Sequence, residues 1–209
     1  MLLDLDAAVK ALHDGLVLGI PTETFYGLGV DLRHPAAIAS VLSLKRRPQS
    51  QPSPVLVASP EGCASLLSRP VPNAALLLME RFWPGGLTIV LDGALPSLPP
   101  QIVSHGTIAL RRDGHPDLMA LFEASKVPAM TGTSANLTGD PPIREGHLVS
   151  SLFSGEPGYA GHIGVGPTRG LLPSTILDMS VHPPALLRLG PVSVAEIEET
   201  LGLTLATSR

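Results

Sequence analysis

Prolines and glycines interrupt this chain too often for long helices. Its 209 residues hold 22 prolines and 21 glycines, and a proline inside a helix removes a backbone donor and kinks or ends it. A helical bundle does not tolerate that punctuation, whereas short buried strands joined by shaped loops do. Leu16-Val17-Leu18-Gly19-Ile20 shows the pattern, an apolar run stopped by Pro21. With 44% hydrophobic and 15% charged residues, the chain can bury a large core, and its length suits one domain over 1–209. Aromatic residues make up only 3%, so that core must be built mainly of Leu, Val, Ala and Ile.

Periodicity and breakers predict the elements. Asp4 or Asp6 caps a first helix that runs to about Leu12 and ends at Gly15. A strand follows over Leu16–Ile20. Pro35–Leu44 reads as a helix, with Pro35 suited to its first turn, and Val55–Ala58 as a strand. Glu61–Leu67 and Asn73–Phe82 read as helices. Trp83-Pro84-Gly85-Gly86 turns sharply into a strand over Leu87–Leu91. Thr107–Arg111 is a strand, Asp117–Ser125 a helix and Val127–Thr131 a strand. Glu145–Phe153 is helical. Gly155–Pro173 is so dense in glycine and proline that a loop is expected, mobile or functional. Ser174–Asp178 and Ala185–Leu189 are strands, and Val194–Leu201 is a terminal helix. Strands and helices interleave irregularly, which predicts an α/β fold with a twisted mixed open sheet and flanking helices.

The formal net charge of −4 argues against a dedicated duplex nucleic-acid binder, although a local basic cleft remains open. Cys63 is the only cysteine, which excludes an internal disulfide and a cysteine metal cage. The histidines are scattered without zinc spacing. No apolar run reaches the length of a membrane span, and the N-terminus lacks a basic leader region, so a cytoplasmic protein is expected.

Three segments carry chemistry. Lys45-Arg46-Arg47-Pro48 offers fixed positive charge: in extended chain Lys45 and Arg47 share a face and suit phosphate, while at a helix end they are ordinary solvated cations. Thr131 to Gly139 (TGTSANLTG) is rich in hydroxyl and amide groups. Ser134 and Asn136 there can bind phosphate, ribose or base, or simply build a turn. Thr22-Glu23-Thr24, at a strand end, can hold a small polar substrate or cap a turn. Arg111 ends an apolar strand, where it can clamp a carboxylate through two hydrogen bonds or pair with Asp113. Arg188 sits within Leu186-Leu187-Arg188-Leu189 and needs a partner, either a ligand phosphate or an acid such as Asp178. No Walker sequence and no nucleophile elbow occur.

Five ordered segments make the chain resemble the YrdC-like threonylcarbamoyl-AMP synthases, from about Asp6 to Pro191. They are Pro21-Thr22-Glu23-Thr24 with Tyr26-Gly27-Leu28-Gly29, Lys45-x-Arg47-Pro48, Phe82-Trp83-Pro84-Gly85 with Leu87-Thr88, Ser134-Ala135-Asn136-Leu137-Thr138-Gly139, and Ser174-Thr175-Ile176-x-Asp178 with Arg188-x-Gly190. The resemblance implies a concave, locally positive central cavity. It implies a nucleotidyltransferase that makes threonylcarbamoyl-AMP and pyrophosphate from L-threonine, bicarbonate and ATP. Other proteins, a threonylcarbamoyl-transferase complex, then modify adenosine 37 of tRNA. By the same resemblance Lys45, Arg47, Gln51, Thr107, Ser134, Asn136 and Arg188 are nucleotide contacts, with Lys45 and Arg47 catalytic. Thr24, Arg111, Gly132 and Ser174 are threonine contacts, Gly132 and Thr133 through backbone groups. Mg²⁺ is expected with ATP and without a dedicated protein site. Leu56 stands where some members carry a histidine. The chain resembles the short form, and Gly155–Pro173 is the candidate cover over the cavity. The related domain of hydrogenase maturation factors belongs to larger, cysteine-rich proteins. A non-catalytic RNA-binding module is the alternative, and a weak tRNA or RNA contact is compatible with either.

Overall fold

The protein is described from a computed structural model that covers residues 1–46 and 52–206. Its helices are α1 (Leu5–His13), α2 (Pro35–Leu44), α3 (Pro60–Ala64), α4 (Asn73–Phe82), α5 (Pro116–Ser125), α6 (Gly146–Phe153) and α7 (Val194–Leu201). Its strands are β1 (Val17–Ile20), β2 (Gly27–Gly29), β3 (Val55–Val57), β4 (Leu87–Asp92), β5 (Val103–Ser104), β6 (Thr107–Arg111), β7 (Ala129–Thr131), β8 (Thr133–Ser134), β9 (Tyr159–His162), β10 (Thr175–Asp178) and β11 (Ala185–Arg188). Local chemistry sets the helix ends. Asp4, not Asp6, caps α1 by accepting from the Ala7 amide at 2.8 Å, and Ser193 and Glu196 close a capping box on α7.

The strands form two mixed sheets. The smaller runs β8-β2-β1-β9, and the larger runs β11-β10-β4-β6-β3-β7 with β5 paired to β6. In the larger sheet β3 lies parallel to β6 and antiparallel to β7, and β10 lies parallel to β4. The chain passes between the sheets from β2 to β3, from β9 to β10 and, most directly, at Gly132 between β7 and β8. Thr131, fully buried, secures that crossing: its hydroxyl accepts from the Val30 amide and donates to the Leu28 carbonyl, both at 3.1 Å.

Four expectations change. The loop expected over Gly155–Pro173 contains β9, which pairs parallel to β1 through Leu18↔Gly161 and Gly19↔His162. The glycine within β9 answers a steric demand instead of marking a turn: a Cβ on Gly161 would lie 2.6 Å from the Met1 carbonyl oxygen, because the N-terminal segment packs along the other side of β9. The remainder of that segment is tied down where it crosses Thr24, since the Thr168 hydroxyl donates to the Thr24 carbonyl at 3.0 Å. The helix expected over Glu61–Leu67 stops at Ala64, since Leu67 bridges Ala94 instead. The strand expected from Val127 begins at Ala129, after Lys126 ends α5 in a left-handed conformation. Gly27–Gly29 and Thr133–Ser134, read as site motifs, are also paired strands.

The core is aliphatic, with Leu87, Ile89 and Leu110 inaccessible on one face of the larger sheet and Leu12, Leu18 and Leu118 beneath α1 and α5. No described helix is long and apolar enough to cross a membrane. Cys63 is fully buried, and burial pushes its thiol up to about 12. A thiol reagent at about pH 8 is therefore expected to leave the native chain unlabelled and to react only after denaturation. Rapid labelling of the native protein would show that α3 opens.

Candidate functional site

A cleft of about 470 Å³ is lined by both sheets. The alternation of the larger sheet makes its floor. Leu87, Ile89 and Leu91 turn to the core, so Thr88 and Val90 face the cleft beside Ala109, Ile176 and Leu56. From the smaller sheet come Gly27, Thr133 and Ser134. Arg111 and Arg188 line the cleft, and no carboxylate is among its described lining residues. A larger hollow of about 740 Å³, beside Met1, α6 and residues 162–166, has no arginine or lysine among its described lining.

Arg111 sits where β6 ends and is 6% exposed. Three segments hold it. Its Nε donates to the Gly85 carbonyl at 2.8 Å, Nη1 donates to Thr24 Oγ1 at 3.2 Å, and Nη2 pairs with Asp113. Of the two sequence readings of Arg111, the pairing with Asp113 is present, and the same side chain lines the cleft. Thr24 is fixed in turn by Thr22, whose hydroxyl lies 3.0 Å from Thr24 Oγ1 and donates to the Phe25 carbonyl at 2.6 Å.

Arg188 approaches from β11. Its Nε donates to the Ser174 carbonyl at 2.9 Å and an Nη to Ser174 Oγ at 3.0 Å. Ser174 Oγ also lies 2.8 Å from Thr88 Oγ1. Loss of hydration first, and then the charge of Arg111, lower the Arg188 pKa below its ordinary value. The expected acid partner is not used: Asp178 accepts from the Ser180 amide and hydroxyl, at 2.8 and 2.6 Å. Thr88 is the cleft hydroxyl that sequence reasoning left out of the site. Its signal was a hydroxyl inside the apolar run Leu87-Thr88-Ile89-Val90-Leu91.

Lys45 follows α2 and is 3% exposed. Its ammonium donates to the Ser134 carbonyl and, at 2.8 Å, to the Asn136 carbonyl. It is thus a strut under the 134–136 loop, and it is not among the residues lining the cleft. Asn136 lines the cleft and donates through Nδ2 to the Leu137 and Asp140 carbonyls, at 2.8 and 2.7 Å. Its Oδ1 is buried with no hydrogen-bond donor among the described residues. The Ser134 side chain is exposed at the rim. Gly132 lines the cleft, and a Cβ there would meet Leu56 Cγ at 2.5 Å. Thr107 shares the face of Ala109 and Arg111, but its hydroxyl donates to the Ser104 carbonyl at 2.7 Å and it lies outside the lining. Arg47 and Gln51 lie outside the described residues, whereas Pro52, which follows them, lines the cleft. Tyr26 forms part of the wall, and burial, aided by the charge of Asp117, pushes its phenol up to about 12. It therefore stays neutral across the physiological range.

Comparison with known proteins agrees with this architecture. The Sua5/YciO/YrdC family model, described as "Telomere recombination", matches residues 10–190. The chain is 34% identical to a threonylcarbamoyl-AMP synthase of Pyrococcus abyssi, over 93% of its own length and 56% of the relative. It thus spans little more than half of that protein. It is 36% identical to a putative threonylcarbamoyl-AMP synthase of Mycobacterium tuberculosis strain H37Rv, over 96% of this chain and 90% of the relative. The structure of P. abyssi Sua5 complexed with L-threonine superposes with a TM-score of 0.87 at 32% identity, covering 96% of this chain and 58% of that one.

Proposed function

Because this chain belongs to the Sua5/YciO/YrdC family, we propose that it is a nucleotidyltransferase that makes threonylcarbamoyl-AMP from L-threonine, bicarbonate and ATP. One observation carries this reading: two guanidinium groups and the hydroxyls of Thr24, Thr88 and Ser174 converge on a single cleft with no carboxylate among its described lining residues. Such a site suits a reaction between two anions. The threonine amine and bicarbonate give N-carboxythreonine with loss of water. The new carboxylate attacks the α-phosphorus of ATP, a P–O bond forms, and the bond to the β-phosphate breaks to release pyrophosphate.

Arg111, with Thr24 beside it, is placed to hold the threonine carboxylate. Arg188 and Ser174 are placed to screen phosphate charge as it redistributes. Asn136, through its unpartnered Oδ1, can accept from a ribose hydroxyl or the base amine. Mg²⁺ enters with the substrate, as MgATP. Positioning and electrostatics suffice without a general base, because the carbamate already carries its nucleophilic charge. The product would then pass to a threonylcarbamoyl-transferase complex that acts on tRNA adenosine 37.

Pyrophosphate release from ATP and bicarbonate, with and without L-threonine, tests the proposal. Release is expected to depend on threonine. In Arg188→Ala the ATP concentration for half-maximal rate is expected to rise about tenfold or more, the loss of a charge-assisted contact of roughly 1.5–3 kcal/mol. A folded wild type that releases no pyrophosphate with threonine would overturn the proposal, and salt-dependent RNA binding by that protein would favour the non-catalytic alternative.

A further inference from the structure

We propose that Asp113 is the positioning residue of the carboxylate-binding end of the cleft: it holds the Arg111 guanidinium so that Nη1 faces the ligand, and thereby sets the preference for a carboxylate-bearing amino acid. The assignment rests on Arg111 acting as the threonine clamp. Asp113 is fully buried and does not line the cleft itself, so it acts through its neighbours. Its Oδ1 accepts from the Glu23 amide at 3.1 Å and the His115 amide at 3.0 Å. Its Oδ2 accepts from the Glu23 amide at 3.2 Å and pairs with Arg111 Nη2.

The Glu23 carboxylate returns the contact by accepting from the Gly114 amide at 3.2 Å. The Thr22–Phe25 turn and the end of β6 are therefore clasped through two carboxylates. Each backbone reaches for the other's side chain, and Arg111 lies between them. Glu23 Oε2 is 4.0 Å from Nη2, on a side chain that is 41% exposed, so Asp113 is the close and dry counter-charge. With Nε fixed on the Gly85 carbonyl and Nη2 on Asp113, only the Nη1 edge, beside Thr24, is left to meet a ligand.

A purely structural role and a positioning role make different demands on the side chain. The amides of Glu23 and His115 need only an acceptor oxygen, which asparagine or serine also supplies. Nη2 is buried and needs a negative partner. An asparagine amide placed there would oppose donor to donor and drive the guanidinium out of register with the ligand.

The experiment compares L-threonine with L-threoninamide, which lacks the carboxylate charge, by calorimetry on wild type, Asp113→Asn and Asp113→Ser, with ATP binding as a control. Wild type is expected to prefer threonine by at least about tenfold, the scale of one charge-assisted contact. In both variants that preference is expected to collapse toward unity, while threoninamide and ATP affinities stay within about twofold. An undiminished or larger preference would overturn the assignment. So would equal weakening of both ligands, or the failure of both variants to fold, since Asp113 would then serve the fold alone. A wild type that binds no threonine would overturn the function proposed above and this assignment with it. A wild type that prefers threonine, with variants that keep the preference, overturns this assignment alone.

Discussion

Lys45→Met is expected to abolish most threonine-dependent pyrophosphate release and to lower stability in the same protein. The two effects share one cause. The Lys45 ammonium lies beneath the 134–136 loop, donating to the carbonyls of Ser134 and Asn136. Methionine keeps the stem's packing and removes the donor. Each buried carbonyl left without it costs about 1–3 kcal/mol. The loop that presents Ser134 and Asn136 to the cleft then loses its support. Misplacement on that scale, together with the lost positive charge, predicts a fall in turnover of about 10²–10³-fold. Denaturant unfolding and pyrophosphate release, measured on one preparation, check both halves. Full turnover in Lys45→Met would remove Lys45 from the working site. Lost turnover at unchanged stability would show that the ammonium leaves its carbonyls to work on the substrate.

Gly190→Ala is also expected to lower both stability and turnover, although Gly190 bears no functional group. A Cβ at that position would collide with the Pro173 carbonyl oxygen and come within 2.5 Å of the Thr175 amide and 2.7 Å of the Ser174 carbonyl carbon. All three are backbone atoms that no rotamer change can clear. The Gly190 amide donates to Thr175 Oγ1 at 2.9 Å, and that hydroxyl donates to the Val192 carbonyl at 2.7 Å. The crossing is thus both tight and bonded. Overpacking of this kind costs about 1–3 kcal/mol, or roughly 2–12 °C in Tm for a chain of this size. Ser174 lies on one side of the crossing and Arg188 two residues before it on the other. A shift of about 1 Å there predicts up to about a 10²-fold loss of turnover. Thermal melting and steady-state kinetics check this result, and a stable, fully active variant would show that the two strands can separate without cost to the site.

Legibility from the sequence follows the physics of each residue. Runs such as Val17–Ile20 and Leu87–Leu91 are plain because largely buried strands need mostly apolar side chains. β9 is hidden because close approach of the N-terminal segment demands glycine there, and glycine in a sequence reads as loop. The division into two sheets is hidden too, since at Gly132 a single residue carries the chain from β7 in one to β8 in the other. Arg111 was legible as a cation at a strand end, but one sequence line holds no sign of Gly85 or Thr24 beside it. Lys45 shows the limit most clearly. A lysine near a proline suggests exposed charge, whereas here its ammonium lies under a loop from residues about ninety positions away, a long-range contact that composition and spacing do not encode.

The passage at Gly132 reaches beyond the site. Because the cleft is faced by β2 and β8 of one sheet and by β3, β4, β6, β10 and β11 of the other, whatever fills it touches both sheets, whose chain connections include the direct seam at Gly132. An occupant acts as a mortar joint: by contacting both sheets it opposes their parting. Occupancy at a hundred times the dissociation constant adds about 2.7 kcal/mol to that parting. Amides of the seam, Val30 and Thr131 among them, should therefore slow in hydrogen exchange along with residues that never meet the ligand, so that saturation of the cleft is recorded as a change in how the whole chain breathes.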